Sequence, residues 1–138
     1  MNKRLTPKDR GLIKGAMRRA FARSDLHREV LQESVVIHHD PARPRVTRWS
    51  RCRQCYGLTP TYKIEIHHLE SVVPLDRPLD QMTWDEVVDR LWCDKFGLTA
   101  ICPKCHNKIT AEEKEARKLH KNAAKNSVLK HKKRRDTK

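Results

Sequence analysis

The sequence predicts a small α+β domain stapled by a metal ion. Three observations lead there. Two Cys-x-x-Cys knuckles, Cys52–Cys55 and Cys102–Cys105, sit far apart in the chain. One stretch, "TYKIEIH", alternates apolar and polar side chains, and several others carry apolar residues at helical spacing. With only two Phe, two Tyr and three Trp in 138 residues, the core is modest. A structural metal is one way such a chain gains the stability its core lacks.

The elements follow in order. Residues 6–23 read as a helix: Thr6 caps it, Pro7 suits its first turn, and Ile13, Ala16, Met17, Ala20 and Phe21 recur at helical spacing. Lys14, Arg18 and Arg19 are expected to point outward. Ser24 caps a second, short helix holding Leu26, Val30 and Leu31. The basic stretch 38–51, with two prolines and no periodicity, reads as an irregular connection. A half-buried strand follows, with Tyr62, Ile64 and Ile66 on one face and Lys63, Glu65 and His67 on the other. "TWDEVVDRLW" opens with a capping box, Thr83 to Glu86, and predicts a helix burying some of Trp84, Val87, Val88, Leu91 and Trp92. "LTAI" (98–101) is a second short strand. From Cys102 a knuckle runs into a long helix with Ile109, Ala116, Leu119 and Ala123 along one side. Beyond about residue 125 the basic tail "KHKKRRDTK" reads as disordered in isolation.

Charge is distributed unevenly. The net charge is +14, from 31 Lys and Arg against 17 Asp and Glu. Residues 1–53 hold 14 basic and 5 acidic side chains, residues 112–138 hold 11 and 4, and the stretch between holds 6 and 8. Two basic arms around a near-neutral centre suit a polyanion, because each cation placed on a phosphate releases condensed counterions. No apolar run reaches membrane-spanning length, and the N-terminus lacks the apolar stretch of a signal peptide. Five cysteines, an odd number, argue against a fully paired secreted scaffold. These features predict a soluble, cytoplasmic protein with no membrane partner.

Two knuckles supply four thiolates, the donor set of a tetrahedral structural zinc site formed by Cys52, Cys55, Cys102 and Cys105. Cys93 lies outside that spacing and is expected to be a packed thiol beside Trp92. Three histidines lie close to the same frame: His67, His68 and His106. Neighbouring residues on a strand point to opposite faces, so His67 and His68 are expected to divide the work. One binds a metal together with His106, and the other reaches the far side of a substrate held there. His27, His38, His39, His120 and His131 read as surface or satisfied core residues, and Glu65 and Glu70 as candidate supporting groups.

"IEIHHLESVVPL" followed by "GLTAICPKCHNK" resembles the HNH endonucleases, over roughly residues 52–118; the four cysteines place the likeness with the zinc-stapled subset, and the basic N-terminal helix and C-terminal extension are similar in character to small phage-type members. The resemblance implies a ββα-metal (His-Me finger) core at 52–118, flanked by a basic N-terminal helical arm at 1–51 and a basic extension at 119–138. It implies that His67 and His106 bind a catalytic divalent ion (Mg²⁺, Mn²⁺ or Ni²⁺) and that His68 activates water. The reaction implied is phosphodiester hydrolysis leaving 5′-phosphate and 3′-hydroxyl ends. Double-stranded DNA is the expected partner, held through Lys14, Arg18, Arg19, Arg51, Arg53, Lys104 and Lys108, in the cytoplasm of a bacterial or phage-infected cell. A phage packaging or replication partner is compatible with the same core.

Three positions depart from the family pattern. Gly97 stands where the family has the Asn that braces the general base, with Asp94 nearby as a possible polar substitute. The loop from His68 to Pro74 is longer than usual. Ile109 occupies a place often held by Lys, with Lys108 one residue early. The competing function is a non-catalytic, zinc-stabilised nucleic-acid-binding module.

Overall fold

A computed structural model describes residues 4–136, with the side chain of Asp136 excepted. Helix α1 spans Pro7–Ala22 and α2 spans Asp25–Glu33. Both begin as their sequences dictate. Thr6 accepts from the Asp9 backbone N–H while Asp9 returns a bond to Thr6, and Ser24 accepts from the His27 N–H. Strands β1 (Val35–Val36), β2 (Trp49–Arg51) and β3 (Leu58–Pro60) form an antiparallel sheet in that order, with Ser50 opposite Val35 and Thr59. Strand β4 (Glu65–His68) pairs antiparallel with β5 (Leu98–Ile101), and α3 (Trp84–Leu91) lies in the connection between them. Helix α4 runs without interruption from Pro103 to Asp136.

The β4–β5 ribbon divides the interior. Its register sets Ile66 opposite Ala100 and His68 opposite Leu98 on one face, Glu65 opposite Ile101 and His67 opposite Thr99 on the other. Against the first face packs the main core, where Phe21 and Val30 from α1 and α2 meet Val72, Val73, Met82, Val87, Leu91 and Leu98. Against the second lies a smaller cluster of Cys52, Ile101 and Cys102, joined by Cys105 and Ile109 of α4. Phe21 and Val30 of the first two helices thus belong to the main core, and β2 ends at Arg51.

Some expectations change. The predicted strand is shorter, because Thr61–Lys63 makes a 3₁₀ turn after Pro60 and leaves Tyr62 76% exposed. Only the four residues that pair with β5 form the strand. Lys14 is half-buried rather than fully outward. The basic tail is helical through Asp136, not disordered: Lys, Arg, Leu and Ala are good helix formers, and extending an existing helix avoids the cost of nucleating one. Leu119, expected along the packed side of α4, is exposed.

Candidate functional site

The four cysteines come from two tight corners. Cys52 and Cys55 belong to the turn joining β2 to β3, closed by bonds from Cys52 N–H to Gly57 O and from Tyr56 N–H to Cys52 O. Tyr56 takes a left-handed conformation (φ 61°) to make that turn, and Arg51 Nη1 donates to its carbonyl. Cys102 and Cys105 sit where β5 ends and α4 begins. All four Sγ atoms lie within 4.8 Å of one another, an arrangement that could hold a metal ion such as zinc. Zn–S bonds of about 2.3 Å in a tetrahedron place sulfurs about 3.8 Å apart. Cys55 and Cys102 Sγ are 3.8 Å apart, and all five cysteines are free.

The thiols also show the electrostatics of an ion site. Burial pushes Cys52 up, but backbone donors of Cys55, Cys102 and Gln54 and the Cys55 side chain outweigh it, lowering Cys52 to about 6. Burial and then the other three thiols push Cys105 up to about 12. A thiolate is favoured at Cys52 and disfavoured at Cys105, a conflict that a bound dication would remove.

One strand and one helix turn away is the histidine group. The rings of His67 and His106 face each other edge-on, 5.7 Å between centroids. His67 projects from the α4 side of the ribbon, and His106 stands on the first turn of α4, one residue past the last cysteine. Glu65, two residues before His67 on the same face, places Oε2 2.8 Å from His106 Nδ1, without the alignment of a full hydrogen bond. That contact leaves His106 Nε2 facing the other way. A carboxylate behind one ring nitrogen is how ligating histidines are commonly oriented. Among the described residues, the four cysteines form the one cluster of three or more metal-type side chains; His67 and His106 make a pair.

His68 faces the opposite side, into the main core. Its ring lies 4.9 Å from that of Phe21, and its Nε2 is 2.8 Å from the carbonyl oxygen of Leu91. Leu91 ends α3, so its carbonyl has no partner within the helix. A carbonyl can only accept, so Nε2 carries the proton and Nδ1 keeps the lone pair. Burial lowers the pKa of His68, the Leu91 carbonyl opposes this, and Arg18, His67 and His27 lower it further. His67 is lowered by burial, partly offset by Glu113 and deepened by His106. Both rings are neutral at neutral pH.

The long loop after His68 is held by two arginines that local sequence does not reveal. Arg90 donates to the carbonyls of Ser71 and Val72 and pairs with Glu70 at 3.1 Å. Arg117 donates to the carbonyls of Val73 and Pro74 and to Ser71 Oγ. Phe21, Leu91 and Glu113 likewise reach the histidines only through tertiary packing. The Asp94 carboxylate accepts from the Phe96 N–H and caps the turn at Lys95–Gly97. Cys93 packs against the main core as expected, with its Sγ against Gly97.

The expected phosphate-contacting residues differ in exposure. Arg18, Arg19, Arg53, Lys104 and Lys108 are exposed, Lys14 is half-buried, and Arg51 is exposed but engaged with Tyr56. A concavity of about 1110 Å³ lies between residues 73–81 and α4 from Arg117 onward, and its lining contains none of His67, His68 and His106. No helix is long and apolar enough to cross a membrane among the described residues. Compared with protein-family models, curated proteins and solved structures, the chain matches none.

Proposed function

We propose that the protein is a divalent-metal-dependent DNA endonuclease or nicking enzyme that hydrolyses phosphodiester bonds in the HNH manner. The observation that carries this reading is the division of three histidines around one strand end. His67 and His106 pair across the corner between the ribbon and α4, beside the cysteine cluster, while the adjacent His68 turns to the other face. A helix following a two-stranded hairpin is the arrangement that a ββα-metal core requires.

The donor set fits a divalent ion with open positions. His67 and His106 would hold it, through a nitrogen freed in His106 by the Glu65 contact, and further positions would remain for solvent and phosphate. When bound, such an ion supplies Lewis acidity toward a phosphate oxygen. His68 acts as the general base. Its proton-bearing Nε2 is occupied by Leu91, its Nδ1 lone pair is free to accept from water, and its lowered pKa keeps it unprotonated at neutral pH. The cysteine cluster with zinc fixes the start of α4 and therefore His106. The basic helices supply contacts with the phosphate backbone that carry no sequence information by themselves.

A second reading, a non-catalytic zinc-stabilised nucleic-acid-binding module, is favoured by one observation. A Cβ at Gly97 would lie 3.0 Å from Cys93 Sγ, so the place of the family Asn is filled by a neighbour. Supercoiled plasmid with Mg²⁺, Mn²⁺ or Ni²⁺ separates the two. The nuclease reading expects nicked or linear product from the wild type. For His68→Ala it expects a rate lower by about 10²–10⁴-fold, the usual contribution of a general base, in a protein that keeps its fold and zinc. Equal products from both proteins, or none from either in any metal, leave the binding module.

A further inference from the structure

Lys14 and Arg18 sit one turn apart on α1, and Arg18 is three residues before Phe21, which packs on His68. Their Cβ atoms are thus about 6 Å apart on one face of the helix, near enough to serve a single group. Neither makes a hydrogen bond or an ion pair with another described residue. Arg117 approaches from α4 as a third cation, its guanidinium spent on the carbonyls of Val73 and Pro74 and on Ser71 Oγ, with no carboxylate. The three repel one another: Arg18 and Arg117 each lower Lys14, and Arg117 lowers Arg18. The carboxylate that relieves Arg18 is Glu113, which also faces His67.

Burial is the main cause of the lowered pKa at both Lys14 and Arg18, yet Arg18 remains exposed to solvent. Three cations, Lys14, Arg18 and Arg117, are gathered here against one carboxylate, Glu113. Such a gathering costs free energy in the free protein, and an anion would recover it. Arginine is suited to a phosphate, because its planar fork donates to two oxygens at once.

We propose that Lys14 and Arg18, with Arg117 behind them, seat one phosphodiester of the bound nucleic acid beside His68. This rests on the endonuclease reading for its placement at the scissile bond, but not for the existence of the seat. The α1 helix thereby becomes part of the substrate site, distinct from the basic residues Lys104 and Lys108 of α4.

The test uses the full-length zinc-loaded chain carrying His68→Ala, with a fluorescent 16-base-pair duplex and no added divalent metal. Affinity is measured by anisotropy across 50–200 mM salt. Arg18→Gln and Lys14→Gln are each expected to weaken binding and to reduce the slope of log K against log salt by about 1, the signature of one lost phosphate contact. Arg28→Gln, whose parent side chain is paired with Asp25, serves as the comparison and leaves the slope unchanged. Arg18→Lys restores the slope. In the His68-containing chain, Arg18→Gln is expected to slow plasmid nicking by about 10-fold or more at saturating DNA, as loss of a transition-state contact does. Wild-type affinity and slope in both glutamine variants overturn the seat. Reduced slopes with unchanged nicking at saturating DNA overturn its placement beside His68. Reduced slopes in a protein that cuts nothing sustain the seat and overturn the endonuclease reading alone.

Discussion

At position 97 an added Cβ would sit 3.0 Å from Cys93 Sγ and 3.7 Å from its Cβ, so the two residues are a matched pair. The turn at Lys95–Gly97 brings them together, and the Gly97 carbonyl accepts from the Leu69 N–H, immediately after His68. Gly97→Asn is expected to destabilise the protein by about 1–3 kcal/mol through overpacking. Adding Cys93→Ala should recover most of that loss, read as a return of the urea midpoint. That Gly97 departs from a pattern was legible in the sequence. Its cause was not, because nothing local says that a thiol four residues back will lie across it. The pair His67 and His68 shows the same limit. Their opposite orientations follow from strand geometry, whereas Phe21, Leu91 and Glu65, which set the surroundings of each ring, come from elsewhere in the fold or depend on its register.

Among the elements, what is decided within a few residues was readable, and what depends on a distant partner was not. The capping boxes of α1 and α3 and the Ser24 cap are side-chain-to-backbone exchanges within one turn. The extent of β4 depends on β5, thirty residues away in sequence, and so Tyr62 falls outside a strand that its alternation suggested. The packing of α2 on α1 adds a pH dependence. His27 stands edge-on to Phe21 at 5.6 Å, and burial lowers its pKa. Its neutral form is therefore favoured in the folded state. The stabilisation is complete above the unfolded value near 6.5 and is lost as pH falls below it, because the unfolded chain then binds more protons. Thermal melts of wild type and His27→Gln between pH 7.5 and 5.5 should show a shallower loss of stability in the variant. Equal pH dependence would remove His27 from that role.

For the molecule as a whole, the cysteine cluster is the tie between halves. It joins the β2–β3 turn to the start of α4 and forms the centre of the smaller core with Ile101 and Ile109. A zinc ion held there would contribute on the order of 10–16 kcal/mol, as much as the entire stability of a typical domain at about 5–15 kcal/mol. Chelation, or Cys102→Ser, should therefore unfold the protein, seen as loss of bound zinc together with loss of the cooperative thermal transition. A zinc-free chain that still melts cooperatively at the wild-type temperature would contradict this role.

Helix α4 has a consequence of a different sort, in hydrodynamics. Its 34 residues measure about 51 Å at 1.5 Å per residue. A compact chain of this length would have a radius of gyration of about 14 Å, equivalent to a sphere roughly 37 Å across. One element alone thus exceeds the diameter of the body it emerges from. The protein should sediment more slowly and tumble more anisotropically than its mass implies, as a ball with a rigid charged spar.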